Sequence, residues 1–176
     1  MVFADDTDWS LQAAVALVNS AEEPDTLTEQ AQLDDFYRRF GFTGSRTHDA
    51  AELDAVRAVR PLLRELLTRD RDGAVEVVNR LLAERHAVPQ LLRHDDWDYH
   101  IHATDPSVPL ADRIVVETAM AMIDVIRADD LSRLSVCADD SCRSLVLDLS
   151  RNRSRIYCST TCGNRNAVAA YRARQR

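Results

Sequence analysis

Apolar residues recur at intervals of three or four along most of the first 127 positions, as expected for helices with one buried face. The predicted helices cover residues 9–19, 26–40, 50–67, 75–87 and 110–127. Pro61 lies inside the third helix and is expected to kink or split it, because proline lacks the donor N–H and clashes with the preceding turn. The last helix is apolar over a broad face, which predicts a central place in the core.

Polar residues and glycines at the ends of these segments indicate where the helices begin and end. Thr26 and Glu29 have the spacing of a capping box, and Asp49 suits the cap of the next helix. Gly41 suits the left-handed position that follows many helices. Residues 69–73, Arg-Asp-Arg-Asp-Gly, predict a turn between two helices.

A different pattern follows Pro89. From Trp97 to Ala103 apolar and polar residues alternate, and together with residues 90–93 this alternation predicts a β-hairpin near 89–103 that turns at the polar residues 94–96. His100 and His102 then share one face of a strand. Such a pair could form part of a metal or acid–base site, but no third ligand is evident nearby and a solvated polar face is the favoured interpretation.

These elements predict a mainly α-helical protein with an inserted hairpin. We assign the helical domain to residues 1–134 and a small C-terminal module to residues 135–176. No stretch approaches the ~18 consecutive apolar residues of a membrane span. Residues 1–6 have neither the basic nor the apolar region of a secretion signal. We therefore expect a cytoplasmic protein.

The four cysteines of the chain form two close pairs in the C-terminal module: Cys137 with Cys142, and Cys158 with Cys162. Four thiolates fill the tetrahedral shell of one Zn²⁺ and leave no position for a catalytic water, so the spacing predicts a structural zinc site. Disulfides would need an oxidising compartment. Iron held by the same four ligands stays open as an alternative metal.

The residues between and after the cysteine pairs predict a strand, a turn and a helix. Leu145, Leu147 and Leu149 lie on one face of the predicted strand, residues 156–157 are expected to return as its hairpin partner, and residues 167–174 favour a helix. A cysteine knuckle, a hairpin and a last cysteine at a helix start make up the layout of a treble-clef zinc finger.

Residues 147–155, Leu-Asp-Leu-Ser-Arg-Asn-Arg-Ser-Arg, and the Cys-Gly-Asn-Arg at 162–165 resemble the CGNR zinc finger of bacterial proteins. In that family the finger follows an ABATE domain, described as a stress-induced transcription regulator. Residues 17–20, Leu-Val-Asn-Ser, are similar to the Phe-Val-Asn-Thr stretch that opens this domain. Many relatives have an Asp where Ala16 stands here, and one more residue between the last two cysteines.

Charge divides the chain unevenly. Residues 137–176 carry eight arginines and three aspartates, a formal charge of +5, against −12 for the other residues. A basic module on an acidic body suggests an anionic partner for the module, and arginine and asparagine suit phosphates and base edges. The residues predicted to contact nucleic acid are Arg151, Arg153, Arg155, Asn164, Arg165, Arg172, Arg174 and Arg176.

The sequence contains no recognisable catalytic motif, whether a glycine-rich phosphate loop, a nucleophile elbow or a His-Glu-x-x-His pair, and we expect that the protein is not an enzyme. The leading hypothesis is a DNA-binding transcription regulator whose N-terminal domain senses a small molecule or a protein. One finger buries little DNA surface, so a homodimer is a further expectation. The alternatives are an RNA- or protein-interaction zinc module and a redox switch that loses zinc when its thiolates are oxidised.

Overall fold

The computed structural model describes residues 3–94 and 97–175, and for His94 and Trp97 it describes the backbone alone. The helices are α1 (Asp5–Asn19), α2 (Gln30–Arg39), α3 (Ala50–Ala58), α4 (Arg60–Thr68), α5 (Arg71–Glu84), α6 (Leu110–Arg127) and α7 (Thr160–Arg174). The strands are β1 (Gln90–His94), β2 (Trp97–His102), β3 (Leu134–Val136) and β4 (Leu145–Leu147), paired antiparallel as β1–β2 and β3–β4. The mainly helical fold and the inserted hairpin are confirmed. The predicted hairpin turn at Asp95 and Asp96 lies outside the described residues.

Helix α6 forms the centre of the core. It packs against α1, α5 and α3, and its Leu110, Ile114 and Met122 are among the largest fully buried side chains. Its bounds and its central position are those that the apolar pattern predicts. No described helix combines the length and the apolar character needed to cross a membrane.

Proline divides the predicted third helix in two. Helix α3 ends at Ala58 and α4 begins at Arg60, so that Pro61 falls in the first turn of α4. The first N–H groups of a helix have no partner within it, so the missing N–H of proline costs nothing there. The predicted split is confirmed.

Two of the expected helix ends are also confirmed. The side chain of Asp49 accepts a hydrogen bond from the N–H of Glu52 at 2.9 Å, which caps α3. Gly41 follows α2 with a φ of 61°, in the left-handed region that glycine adopts at low cost.

The predicted start of α2 is wrong. The capping box is formed by Glu29 and Gln32, four residues into the expected helix. The segment before it is a loop, because Leu27 turns inward to the core (3% exposed) and its N–H donates to the side chain of Asp25 at 2.8 Å. Burial of one leucine therefore outweighs the helical pattern of residues 26–28.

The turn predicted for residues 69–73 is also wrong, because α5 begins at Arg71. Asp70 caps this helix by accepting a hydrogen bond from the N–H of Gly73 at 3.0 Å. The helix ends at Glu84, three residues before the predicted end. Asp70, three residues before Gly73, therefore caps the start of a helix and does not begin a turn.

Strand β4 does not pair with residues 156–157, as the sequence analysis predicts, but with β3 on the N-terminal side of the first cysteine. All three residues of β4 are buried. Leu145 and Leu147 belong to the helical core, while Val146 packs with Cys137 and Cys162. The strand therefore lies between the helical core and the cysteine cluster, and the finger is packed onto the body of the protein.

Candidate zinc centre and nucleic-acid interface

The four cysteine sulfurs form one cluster. Cys137 follows β3, Cys142 lies in the next turn, Cys158 precedes α7 and Cys162 lies in its first turn. All four Sγ atoms lie within 4.8 Å of one another. The Cys142–Cys158 distance is 3.6 Å and the Cys158–Cys162 distance is 3.7 Å. Tetrahedral zinc with bonds of about 2.3 Å would hold its sulfurs about 3.8 Å apart, so this cluster fits one Zn²⁺.

The thiols themselves indicate that the cluster needs a cation. None of the four cysteines forms a disulfide. Burial raises the pKa of the Cys158 thiol to about 12, whereas hydrogen bonds from Ser144 lower the pKa of Cys142 to about 7. Four thiolates at these distances repel one another, and a divalent ion removes that repulsion and deprotonates the thiols. With four sulfur ligands Zn²⁺ is a structural cross-link without an open coordination position.

Helix α7 begins beside the metal site. Ser159 caps the helix by accepting a hydrogen bond from the N–H of Cys162 at 3.3 Å, so the helix starts at Thr160, seven residues before the predicted start. Cys162 therefore lies in the first turn, where the positive end of the helix dipole stabilises a thiolate. The prediction of a last cysteine at a helix start is confirmed.

Two buried aspartates hold the loops of the finger. Asp139 (3% exposed) accepts hydrogen bonds from the N–H and Oγ of Ser141, and Asp148 (4% exposed) accepts one from the N–H of Ser150 at 2.8 Å. These bonds lower the pKa of both carboxyl groups. Neither residue has a role among the predictions from the sequence. Their Asp-x-Ser spacing is typical of turns that are closed by a side chain, and it could have predicted these hydrogen bonds.

Arg165, a predicted nucleic-acid contact, lies against the metal site. Its Nε is 3.1 Å from a carboxylate oxygen of Asp139, and its other nitrogens reach Ser141 Oγ at 2.6 Å and Cys162 Sγ at 3.7 Å. The neighbouring Asn166 donates to both Asp139 and the Cys162 carbonyl. The arginine of the Cys-Gly-Asn-Arg motif thus joins α7 to the cysteine knuckle and places a positive charge beside a sulfur.

Two further predicted contacts, Arg153 and Arg155, have partners within the protein. Arg153 adopts a φ of 49° and donates to Asp130 at 2.5 Å and to Ser132 Oγ at 3.2 Å. Arg155 donates to the backbone carbonyls of Tyr157 and Cys158 at 3.4 and 3.1 Å. Both side chains are therefore held close to the finger, and their contact with nucleic acid stays a prediction.

The remaining predicted contacts point to solvent. Arg151, Asn164, Arg172 and Arg174 are exposed, and none has a side-chain hydrogen bond or ion pair within the described part of the chain. Every residue of α7 from residue 167 onward is exposed, Val168 and Tyr171 included. The helix thus extends from the zinc site as a largely uncovered basic surface. Arg176 lies outside the described residues.

Two family models match the chain. Residues 133–175 match the CGNR zinc finger, and residues 11–129 match ABATE, whose description is "Putative stress-induced transcription regulator". No curated protein matches the chain. The resemblance inferred from the sequence is confirmed, and the four-cysteine cluster is the zinc site of the matched finger. Because the ABATE match spans more than half of the 176 residues, the chain belongs to the ABATE family and carries a C-terminal CGNR zinc finger.

Proposed function

We propose that this protein is a DNA-binding transcription regulator, in which the zinc finger contacts DNA and the ABATE domain responds to a ligand or a protein. The observation that carries the proposal is that three arginines of the finger, Arg151, Arg172 and Arg174, are exposed and have no side-chain partner among the described residues. Arginine side chains without an internal partner lose no ion pair when they meet phosphate. The family description, a transcription regulator with a zinc finger, supports the same role.

Helix α7 supplies the element that would meet the duplex. An α-helix fits the major groove of B-form DNA, where arginine and asparagine make paired hydrogen bonds to guanine and adenine. Asn164 lies in the helix near the zinc site, and Arg172 and Arg174 lie in its last turns. We propose Asn164 as a base contact and Arg151, Arg172 and Arg174 as phosphate contacts. Arg153, Arg155 and Arg165 would mainly hold the finger in shape.

Salt dependence measures how many phosphates the protein contacts. If Arg151, Arg172 and Arg174 each neutralise one phosphate, log K should fall against log salt with a slope of about −2.7. A fourth phosphate contact, made by Arg153, Arg155 or Arg165, would give a slope of about −3.6. The small size of the module favours a homodimer as the binding species, because one finger buries only ~600–1,000 Å² on DNA.

The test compares two triple variants of the zinc-loaded full chain with the same change in net charge. One carries Arg151→Ala, Arg172→Ala and Arg174→Ala. The control carries Arg38→Ala, Arg80→Ala and Arg93→Ala, at exposed positions of the ABATE domain. We expect the finger variant to lose most of its affinity for mixed-sequence duplex DNA and most of its salt slope, while the control binds as wild type. Equal binding by both variants would refute the proposal.

A specific observation favours RNA as the second candidate partner. Tyr171 is 59% exposed on α7, and an exposed aromatic ring beside arginines suits stacking on an unpaired base. The same titration with single-stranded and hairpin RNA separates the two partners, since tighter binding to RNA, lost on Tyr171→Ala, would replace DNA by RNA. Neither candidate involves catalysis, and we propose a regulator rather than an enzyme.

A further inference from the structure

A cavity of about 650 Å³ lies in the ABATE domain between α1, the loop after α2, strand β2 and α6. Its volume is in the range of small-molecule sites. The described residues that line it lie between Ala4 and Arg127, outside the zinc finger. They include His100 and His102, whose Nε2 atoms share a hydrogen bond of 2.9 Å. The cavity is therefore separate from the metal site and from the arginines proposed to meet DNA.

One part of the cavity wall is aromatic. Trp9 of α1 lines it together with Phe40 and Phe42, which follow α2. The rings of Trp9 and Phe40 meet edge to face with their centroids 6.3 Å apart, and Phe42 stacks on Phe36 at 5.8 Å. These contacts hold the rings in place, and a fixed aromatic wall suits the flat apolar body of a small molecule.

Another part of the wall is acidic. Glu117 and Asp124 are seven residues apart on α6 and therefore lie on one face of the helix, which borders the cavity. Asp6 of α1 also lines it. Arg127 is the one arginine among the described lining residues, so the wall carries an excess of negative charge. Such a wall favours a positively charged occupant.

Glu117 has a carboxylate without a close partner. Its side chain is about one-fifth exposed, and its ion pair within the described part of the chain, with Nδ1 of His102, is 3.8 Å long, beyond hydrogen-bond distance. Burial raises the pKa of Glu117 to about 7; the charge of Arg113 opposes this shift and that of Asp6 adds to it. Arg113 itself donates to the carbonyl of Ser45 at 2.7 Å. A cation in the cavity would give Glu117 a hydrogen-bond donor and offset its repulsion from Asp6.

Asp124 adds negative charge further along the same helix. One of its oxygens accepts a hydrogen bond from Oγ1 of Thr7 at 2.6 Å, whereas the other accepts none from the described residues. Seven residues of helix separate Asp124 from Glu117 by about 10 Å. One ammonium group at Glu117 would therefore sense the charge of Asp124 without touching it.

We propose that this cavity binds a small organic amine, whose ammonium group meets Glu117 and whose apolar ring lies against the aromatic wall. A bare metal ion fits less well, because among the described residues only the four cysteines bring three or more ligand atoms within 4.8 Å of one another. An anionic ligand would meet the acidic wall, and an apolar ligand without a donor would leave Glu117 unpaired.

The inference gives a chemical class to the ligand response proposed above, and its regulatory meaning rests on that proposal. Amine binding is measured without DNA. The two proposals can therefore fail separately.

The test is equilibrium dialysis of the zinc-loaded full chain against three probes that share an indole ring: tryptamine, which is a cation, tryptophol, which is neutral, and indole-3-propionate, which is an anion. At pH ~8 the amine is protonated and Glu117 is ionised. We expect one tryptamine per chain, bound about ten- to a hundredfold more tightly than tryptophol because of the charge-assisted hydrogen bond. Indole-3-propionate should not bind. Methylammonium, which has the charge without the ring, should not displace tryptamine at equal concentration.

Amide variants separate the charge of the wall from its shape. Glu117→Gln should lower the affinity for tryptamine to about that for tryptophol, and Asp124→Asn should lower it by about two- to fivefold, as expected of a charge that acts at a distance. Both variants should bind tryptophol as wild type does, which shows that the cavity is intact. The matched control is Glu76→Gln, at an exposed position of α5 outside the cavity, which should bind all three probes as wild type does.

The comparison of probes on wild type does not depend on the folding of any variant. The proposal is overturned if tryptophol binds as tightly as tryptamine, if methylammonium displaces tryptamine at equal concentration, or if no probe binds at millimolar concentration. It is also overturned if Glu117→Gln binds tryptamine as wild type does, or if Glu76→Gln loses as much affinity as Glu117→Gln.

Discussion

Asn19 holds the backbone of Leu145 with both atoms of its side-chain amide. Its Oδ1 accepts a hydrogen bond from the N–H of Leu145 at 2.6 Å, and its Nδ2 donates to the carbonyl of Leu145 at 2.9 Å. Asn19 is the last residue of α1, and Leu145 is the first residue of β4. The asparagine of the family's opening stretch therefore fastens the zinc finger to the ABATE domain.

Removing this side chain should destabilise the whole protein. Asn19→Ala leaves a buried N–H and a buried carbonyl without partners, and we expect a loss of about 2 kcal/mol or more in the free energy of unfolding. Denaturant unfolding measures the loss, with Asn79→Ala on the exposed face of α5 as the matched control. A loss no larger than that of the control would show that the two hydrogen bonds do not join the domains.

Arg165 should act on zinc rather than on DNA. Arg165→Ala removes the bonds to Asp139 and Ser141 and the charge beside Cys162, and we expect zinc affinity to fall by about ten- to a hundredfold. The control is Arg172→Ala, seven residues later on the same helix and exposed, which should leave zinc affinity unchanged and weaken DNA binding. Competition with a coloured zinc chelator measures the first quantity. The assignment would be wrong if both variants retained zinc equally well.

Asp130 should contribute stability in a pH-dependent way. It is 8% exposed and accepts a hydrogen bond from buried Arg133 at 2.9 Å, which lowers the pKa of Asp130; the ion pair with Arg153 adds to this effect. Breaking a buried ion pair on one side costs about 3 kcal/mol or more, so Asp130→Asn should be strongly destabilised at pH 7.

The sign of the pH effect follows from the lowered pKa. The contribution of Asp130 is complete above the pKa of about 3.9 that an unfolded aspartate has, and it is lost as the pH falls through the lower folded value. The difference between wild type and Asp130→Asn should therefore shrink below pH ~4. The exposed neighbour Asp129, changed to Asn, is the control. A difference that stays constant down to pH ~3 would contradict the assignment.

Local patterns in the sequence predicted much of the fold. The bounds of α6 followed from its apolar period, and the division at Pro61 followed from the chemistry of proline. The number and spacing of the four cysteines predicted the metal site, because two close pairs of cysteines suit the four-thiolate shell of one Zn²⁺. Each of these features depends on residues close together in the chain.

The sequence did not predict that β4 pairs with β3, and the reason is physical. Its residues face two different environments, Leu145 and Leu147 the helical core and Val146 the cysteines. Alternation along a strand shows which residues share a face, but it does not show which strand lies beside it. The partner, β3, is only three residues long.

The same limit applies to the arginines. Arg153 and its partner Asp130 are 23 residues apart in the chain, and Arg165 lies 24 residues from its partner Ser141. Clustering of positive charge correctly marked the finger as basic. It did not distinguish arginines that stabilise the finger from those that face solvent, because that distinction depends on contacts made by the folded chain.

The most direct test of the account is to follow zinc content and duplex-DNA affinity in the same samples of the full chain as a chelator removes the metal. We predict one zinc per chain at the start, and a loss of DNA affinity in proportion to the zinc removed, restored when zinc is added back. Cys158→Ala should bind neither zinc nor DNA. A protein that contains no zinc as purified, or that keeps its full DNA affinity after the zinc is gone, would contradict the claim that the metal builds the DNA-binding surface.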